Sequence, residues 1–255
     1  MKLKELCDSL EKELPLSNAE VFEPYTIPDG YPWKDKTTDD CNMYACLYGL
    51  GAYEGMNLHI LEIGAGWGIS GLMWLRLQGQ TGRFVSIDRG FFDGRPNIPV
   101  VKDLWLRQPP CERPKYSFPF FLYEGNTQLI YTDPDIPCYN GIPWIRQHEL
   151  IACLQPGIDV LFIDGDHGDK DRPWALFNDL WQFWPYLRPG GLCICDDIHD
   201  PFDYVEGRFP WLPYTWYSFW QFNRMMASQI EDCRVWKYPY VPSGKRPVGL
   251  LRKKL

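Results

Sequence analysis

The sequence lacks long apolar runs and a secretory signal. No hydrophobic stretch approaches the roughly 20 residues that a membrane-spanning helix needs. The first 14 residues, MKLKELCDSLEKEL, are charged throughout and have no apolar centre of the signal-peptide kind. Their leucines recur at helical spacing, which predicts a short amphipathic helix. We therefore expect a cytoplasmic protein without a membrane partner.

Paired cysteine motifs and an excess of positive charge are also missing. The nine cysteines include no CxxC pair, so reduced, buried thiols are expected rather than a disulfide framework. Acidic residues outnumber Lys and Arg by 33 to 26, which gives a net charge of −7. A field of that sign repels phosphate backbones, and nucleic acid is therefore not an expected partner.

Aromatic residues are abundant, with 12 Trp, 15 Tyr and 14 Phe in 255 residues. They concentrate in two segments, at about residues 90–118 and at residues 199–222. Disordered segments are poor in aromatic residues, so both segments are expected to be structured loops that cover something.

Buried strands alternate with helical segments along most of the chain. The strand-like stretches are LHILEIG, GRFVSID, FPFFLYEGN, IDVLFIDGD and LCICDD, followed near the end by CRVWKYPY and PVGLLRK. This order predicts an α/β fold, a Rossmann-like doubly wound sheet with helices on both faces. The sheet is expected to be mostly parallel with an antiparallel C-terminal edge strand. Residues 1–57 would form a helical cap, and residues 58–255 the main domain with its two aromatic insertions.

A glycine-rich turn, LEIGAGWGIS, follows the first strand and opens a helix. Gly64, Gly66 and Gly68 would let the backbone approach a ligand closely. Gly66, Gly68 and Gly71 also fit a GxGxxG nucleotide fingerprint, although neither possible frame fits a pyrophosphate cradle well. Asp88, which ends the second strand, could accept hydrogen bonds from two ribose hydroxyls of either a nicotinamide cofactor or S-adenosylmethionine. A polar turn after the third strand, LYEGNT, could read an adenine edge.

Acidic residues and histidines follow the fourth and fifth strands. Asp164 lies in FIDGDH, and Asp196 and Asp197 end LCICDD. If these strands are neighbours, three carboxylates converge and repel one another unless a cation lies between them. Oxygen ligands suit a hard divalent ion such as Mg²⁺. His167 could accept a hydroxyl proton beside that ion, with His199 as its competitor.

The motifs LEIGAGWG, SID, EGN, FIDGDH and LRPGGLCICDD occur in the order and spacing of class I S-adenosylmethionine-dependent methyltransferases. The last two most resemble the metal-dependent small-molecule O-methyltransferases, the group related to macrocin O-methyltransferase and cephalosporin hydroxylase. The resemblance implies metal ligation by the three aspartates and proton abstraction by His167. The cofactor residues that it implies are Glu62, Gly64, Ala65, Gly66, Gly68, Asp88, Gly125, Asn126 and Asp164. Many relatives have Asp where this chain has Asn126, whose carbonyl oxygen could still contact an adenine amino group.

The segment after the Asp196–Asp197 pair is expected to cover the methyl acceptor. Phe209, Trp211 and Tyr214 would line a lid over a small molecule with an aromatic or bulky organic body. The oligomeric state is open, with a homo-oligomer as one alternative. Three other functions also stay open: a metal-independent N- or C-methyltransferase, a nicotinamide oxidoreductase and a non-catalytic member of the same fold.

Overall fold

The structure is a computed structural model, and it describes residues 2–12, 31, 38–92, 94–108, 120–125, 127, 153–168, 170–200, 212–237 and 247–255. The described helices are α1 (Leu3–Lys12), α2 (Thr38–Glu54), α3 (Ile69–Leu77), α4 (Ile98–Leu106), α5 (Ala175–Phe183) and α6 (Leu212–Met225). A short 3₁₀ helix, Trp184–Tyr186, continues α5. The predicted N-terminal amphipathic helix is confirmed by α1, whose leucines are buried.

Seven strands form the central sheet in the order β5-β2-β1-β6-β7-β9-β8. Their bounds are β1 (His59–Ile63), β2 (Arg83–Asp88), β5 (Phe121–Glu124), β6 (Ile158–Ile163), β7 (Leu187–Cys195), β8 (Ile230–Lys237) and β9 (Pro247–Lys253). The remaining two strands, β3 (Phe91–Phe92) and β4 (Arg95–Pro96), pair antiparallel as a small hairpin. Neighbours from β5 to β7 run parallel, whereas β9 is antiparallel to both β7 and β8.

The fold prediction is confirmed, with one refinement at the C-terminal side. The antiparallel strand β9 lies between β7 and β8, so the edge itself is formed by β8. Because β8 and β9 pair along seven registered positions, the two closing strands extend the sheet as one hairpin-like pair.

Buried side chains cover both faces of the sheet, which explains why its strands are almost continuously apolar. Successive residues of β1 and β6 point to opposite faces: Ile60 joins one cluster, and Leu61 and Ile63 join the other. Buried residues of α1, α3 and α4 belong to the first cluster. Buried residues of α5 and α6 belong to the second, including the fully buried Phe219 and Phe222.

This topology brings the carboxyl ends of the five parallel strands to one edge of the sheet. In open α/β sheets ligands bind beyond that edge. Most of the sequence-predicted site residues lie at the ends of β1, β2, β5, β6 and β7 or in the loops that follow them. Among the described helices, none has the length and apolarity needed to cross a bilayer. The proposed boundary between residues 57 and 58 stays a prediction.

Candidate active site

The glycine-rich turn after β1 lies directly against the loop that follows β6. Gly64 has a backbone φ of 91°, which favours glycine, and a Cβ there would lie 2.0 Å from the carbonyl oxygen of Asp164. The Gly64 amide donates to the Ile87 carbonyl at 2.8 Å, and the Asp164 amide donates to the Ile63 carbonyl at 2.8 Å. These contacts fix the glycine loop and the acidic loop side by side.

Asp88 holds the glycine loop through its carboxylate. Its Oδ2 accepts the backbone amides of Ala65 at 2.9 Å and Gly66 at 3.2 Å. Its Oδ1 accepts the Gly90 amide at 2.8 Å and the Asn97 side-chain amide at 3.1 Å. An ionised carboxylate has about four acceptor sites, so these four bonds occupy its capacity. In this arrangement Asp88 organises the loop, and its expected contact with ribose hydroxyls stays a prediction.

Three consecutive carbonyl oxygens of the same loop each accept a side-chain donor. Asn97 Nδ2 donates to the Gly66 carbonyl at 2.6 Å, and Trp105 Nε1 donates to the Gly68 carbonyl at 2.7 Å. The Tyr31 hydroxyl donates to the carbonyl between them, that of Trp67. Burial raises the pKa of Tyr31 above its ordinary range, which keeps this hydroxyl protonated as a donor.

Sequence reasoning did not identify these three donors. Asn97 and Trp105 lie in the first aromatic insertion, which was expected to be a structured loop. They are buried against the glycine loop. The spacing of the glycines contains no signal for them, because a carbonyl can accept a donor from any part of the chain.

Glu62 lies beneath the glycine loop and is fully buried. Its carboxylate accepts the hydroxyls of Ser70 and Ser86 at 2.5 and 2.6 Å and the indole N–H of Trp74 at 3.1 Å. Burial raises the pKa of Glu62 from 4.5 to about 7, although the three hydrogen bonds oppose that increase. Glu62 therefore lies under the glycine loop and supports it. Its side chain is closed to solvent.

The turn after β5 reaches the same edge. The Gly125 amide donates to the Asp88 carbonyl at 2.7 Å, which ties this turn to the end of β2. Glu124, which precedes it, is exposed there and was not predicted as a site residue. The predicted adenine-reading residue Asn126 lies outside the described residues.

Two carboxylates and two histidines converge beyond β6 and β7. His167 Nε2 lies 3.7 Å from Asp164 Oδ1 and 3.6 Å from Asp197 Oδ2. His199 Nε2 lies 3.4 Å from Asp197 Oδ1. All four side chains are partly accessible, with exposures of 30% for Asp164, 23% for His167, 14% for His199 and 13% for Asp197. The structure thus brings together four residues that the sequence placed on two loops, one after β6 and one after β7.

Asp197 has a positive φ of 55°, a conformation that is uncommon for residues other than glycine. Its carbonyl accepts the His199 amide at 3.0 Å and the Thr215 hydroxyl at 2.6 Å. Thr215 lies on α6 and is fully buried. Sequence reasoning missed this contact. It fixes the turn that aims the Asp197 carboxylate at the two histidines.

Asp196 differs from the other two predicted metal ligands because its side chain is buried, at 2% exposure. No cluster of three or more His, Cys, Asp or Glu side chains with metal-binding geometry occurs among the described residues. Asp196 is the first residue after β7, and Asp197 follows it with a positive φ. Asp164 and Asp197 approach the same histidine, and the role of Asp196 as a metal ligand stays a prediction.

Of the three predicted acceptor-lining aromatics, Tyr214 is described and Phe209 and Trp211 lie outside the described residues. Tyr214 lies on α6, and its Cβ is 3.5 Å from where a Cβ on Gly168 would be. Since Gly168 follows His167, Tyr214 lies beside the histidine loop. Phe219, further along α6, is fully buried in the core.

Known proteins resemble this chain in sequence and in fold. The family model described as "Methyltransferase domain" matches residues 61–198, more than half of the chain. The O-methyltransferase TomG from Streptomyces achromogenes, solved with S-adenosylmethionine, shares the fold at a TM-score of 0.54 and 13% identity; the alignment covers 98% of this chain and 90% of TomG. An O-methyltransferase from Bacillus cereus, solved with S-adenosylhomocysteine, gives a TM-score of 0.52 at 17% identity, with 97% and 91% coverage.

An uncharacterised protein of Acanthamoeba polyphaga mimivirus is 39% identical over 51 residues. That stretch is 20% of this chain and 21% of the viral protein, so the two are alike over about a fifth of their lengths.

The matched range begins within β1 and ends just beyond Asp197, and so contains the glycine loop, Asp88 and the histidine loop. The resemblance read from the sequence motifs is thereby confirmed for the family and the fold, and the nicotinamide oxidoreductase is not supported. The chain belongs to the methyltransferase-domain family and is a methyltransferase of the class I type.

Proposed function

We propose that this methyltransferase transfers the methyl group of S-adenosylmethionine to a hydroxyl group of a small organic molecule. One observation carries the proposal: the glycine loop and the cluster of Asp164, His167, Asp197 and His199 adjoin at one edge of the sheet. A cofactor on the glycine loop would present its methyl group toward a histidine flanked by two carboxylates.

The reaction needs an acceptor oxygen that has lost its proton. The oxygen forms a bond to the methyl carbon, the carbon–sulfur bond breaks, and its electron pair neutralises the sulfonium as S-adenosylhomocysteine leaves. The hydroxyl proton goes to a histidine, whose positive charge the neighbouring carboxylates would stabilise. The remaining task of the protein is to hold donor and acceptor in line.

His167 is the better candidate for that proton acceptor. Its Nε2 lies within 3.7 Å of two carboxylates, those of Asp164 and Asp197. His167 is also the more exposed of the two histidines, at 23% against 14%. His199 contacts Asp197 through the other carboxylate oxygen, Oδ1.

A hard divalent cation such as Mg²⁺ is the finer part of the proposal. Mg²⁺ is commonly held by one or two carboxylates, with water and substrate oxygens completing its shell. Asp164 and Asp197 are the two accessible carboxylates that would hold it, and the ion would make an acceptor hydroxyl more acidic. The absence of a three-ligand cluster among the described residues favours a second candidate, a metal-independent methyltransferase of the same fold.

The methyl acceptor is proposed to be a small molecule with an aromatic or bulky organic body. Tyr214 supports this, because this aromatic residue lies on α6 with its Cβ close to the histidine loop. Aromatic walls around a few polar groups are typical of sites for such ligands.

Calorimetry and a labelled-methyl assay test the proposal. S-adenosylhomocysteine should bind the wild-type protein, and NADH should not. With tritiated S-adenosylmethionine and a panel of phenols, catechols and sugars, His167→Ala should lose roughly 10²–10⁴-fold in rate on any accepted compound. His59→Gln is the matched control, since His59 begins β1 at the opposite edge of the sheet and should retain the wild-type rate.

Different results would assign the roles differently. A large loss in His199→Ala with a mild effect in His167→Ala would exchange the two histidines. Full activity in excess chelator would establish the metal-independent candidate, and transfer only to amines or carbon acids would remove the hydroxyl acceptor.

A further inference from the structure

Asn97 occupies the N-cap position of α4 but makes no side-chain capping bond to that helix. An N-cap asparagine normally accepts a backbone amide of the second or third helical residue. Here the second helical residue is Pro99, which has no amide hydrogen to donate. The Asn97 side chain is instead turned toward the glycine loop.

The contacts of Asn97 join the glycine loop to Asp88 at the end of β2. Its side-chain nitrogen donates to the Gly66 carbonyl at 2.6 Å and to Asp88 Oδ1 at 3.1 Å. Asp88 in turn accepts the Gly66 amide through its other oxygen. The side-chain amide of Asn97 therefore binds the Gly66 carbonyl and also the Asp88 carboxylate, which itself accepts the backbone N–H of Gly66.

The other polar atom of Asn97, its Oδ1, receives no hydrogen bond from the described residues. The side chain is fully buried, and Oδ1 is one of the buried side-chain atoms that have no hydrogen-bond partner in this part of the chain. A buried oxygen without a donor is destabilising. Asn97 thus donates one hydrogen bond to Gly66 and one to Asp88. In this orientation it does not cap α4.

We propose that Asn97 is a positioning residue for the methyltransferase reaction, which sets the glycine loop in the conformation that binds the cofactor. The inference rests on the proposed cofactor site at this loop. The chemistry requires an amide: it is neutral and has two N–H donors for two acceptors. A carboxylate at the same place would oppose both Asp88 and the Gly66 carbonyl and would push the loop away from β2.

The test measures S-adenosylhomocysteine binding by calorimetry for Asn97→Asp, a change of nearly equal size. We expect the dissociation constant to rise about 10- to 100-fold, as for loss of a hydrogen bond to a charged group. The KM for S-adenosylmethionine should rise similarly, while kcat at saturating cofactor should stay within about twofold. A residue with a merely structural role would instead reduce the folded fraction and leave the affinity of the remaining protein unchanged.

Asn178→Asp is the matched control, because it adds the same charge on an exposed position of α5, across the sheet. It should bind S-adenosylhomocysteine like the wild type. If Asn97→Asp does not fold, Asn97→Ala decides, since it removes both bonds without adding charge and should still weaken binding.

Wild-type affinity in a folded Asn97→Asp or Asn97→Ala protein would overturn the positioning role. If the wild type itself binds no S-adenosylhomocysteine, the proposed cofactor site fails, and the inference fails with it. These two failures are distinguishable because the wild-type titration reports the site alone.

Discussion

Loss of the proton from the buried Glu62 should make this protein less stable as pH rises toward neutrality. The pKa of Glu62 is about 7 in the folded protein and 4.5 in its ordinary surroundings, because burial disfavours the charge. Below pH 4.5 the folded and unfolded chains both carry the proton, and the contribution of Glu62 is fully present. Between 4.5 and about 7 only the folded chain retains it, so the free energy of unfolding falls until the folded pKa is passed.

The size of the effect follows from the two pKa values. The increase from 4.5 to about 7 corresponds to roughly 3 kcal/mol, at about 1.4 kcal/mol for each pH unit. Glu62→Gln removes the titration and keeps a side chain of the same shape for Ser70, Ser86 and Trp74. The difference in unfolding free energy, variant minus wild type, should therefore grow by roughly 3 kcal/mol between pH 4.5 and 8.

Urea unfolding followed by tryptophan fluorescence, at half-unit steps of pH, measures this difference. Subtracting the two proteins at each pH cancels the titration of all groups that they share. Glu231→Gln, at an exposed glutamate on β8, is the control for the loss of one carboxylate. A Glu62→Gln difference that stays constant over this pH range would refute the buried, protonated Glu62.

Two further predictions concern the backbone of the glycine loop. Gly64→Ala should abolish measurable S-adenosylhomocysteine binding, because its Cβ would lie 2.0 Å from the Asp164 carbonyl oxygen. Gly55→Ala is the control, since Gly55 has a φ of 103° with open space around it, and this variant should bind normally. Equal affinities of the two variants would contradict the close approach at Gly64. Trp105→Phe should lower the free energy of unfolding by about 1–3 kcal/mol, because it removes the indole N–H that the buried Gly68 carbonyl accepts. Unchanged urea unfolding would show that this hydrogen bond does not contribute to stability.

Much of the fold and the position of the site could be predicted from local patterns. The strands are apolar on both faces, and such strands belong to parallel sheets covered by helices. The carboxyl ends of parallel strands meet at one edge, so Gly64, Asp88, Asp164 and Asp197 could be placed together without a structure. This part of the prediction depends only on chain order, which the sequence contains.

The contacts within the site could not be predicted in the same way. Tyr31, Asn97 and Trp105 each donate to one carbonyl of the glycine loop from about 30 to 40 residues away. No periodicity records such a pairing, since any donor would serve.

The hydrogen bonds of the glycine loop are shorter than the side-chain contacts measured between the histidines and carboxylates of the acidic cluster. On the glycine loop the amides of Ala65 and Gly66 are bound by Asp88, and the next carbonyls by side chains of α4 and Tyr31. At the acidic cluster the histidine and carboxylate atoms are 3.4–3.7 Å apart, longer than a normal hydrogen bond, and the side chains are partly exposed. Methyl transfer needs a donor that is fixed before the acceptor arrives, because the reacting atoms must be in line. A glycine loop whose amides and carbonyls are already bound to side chains satisfies that need on the donor side, because the loop keeps its conformation before the methyl acceptor arrives.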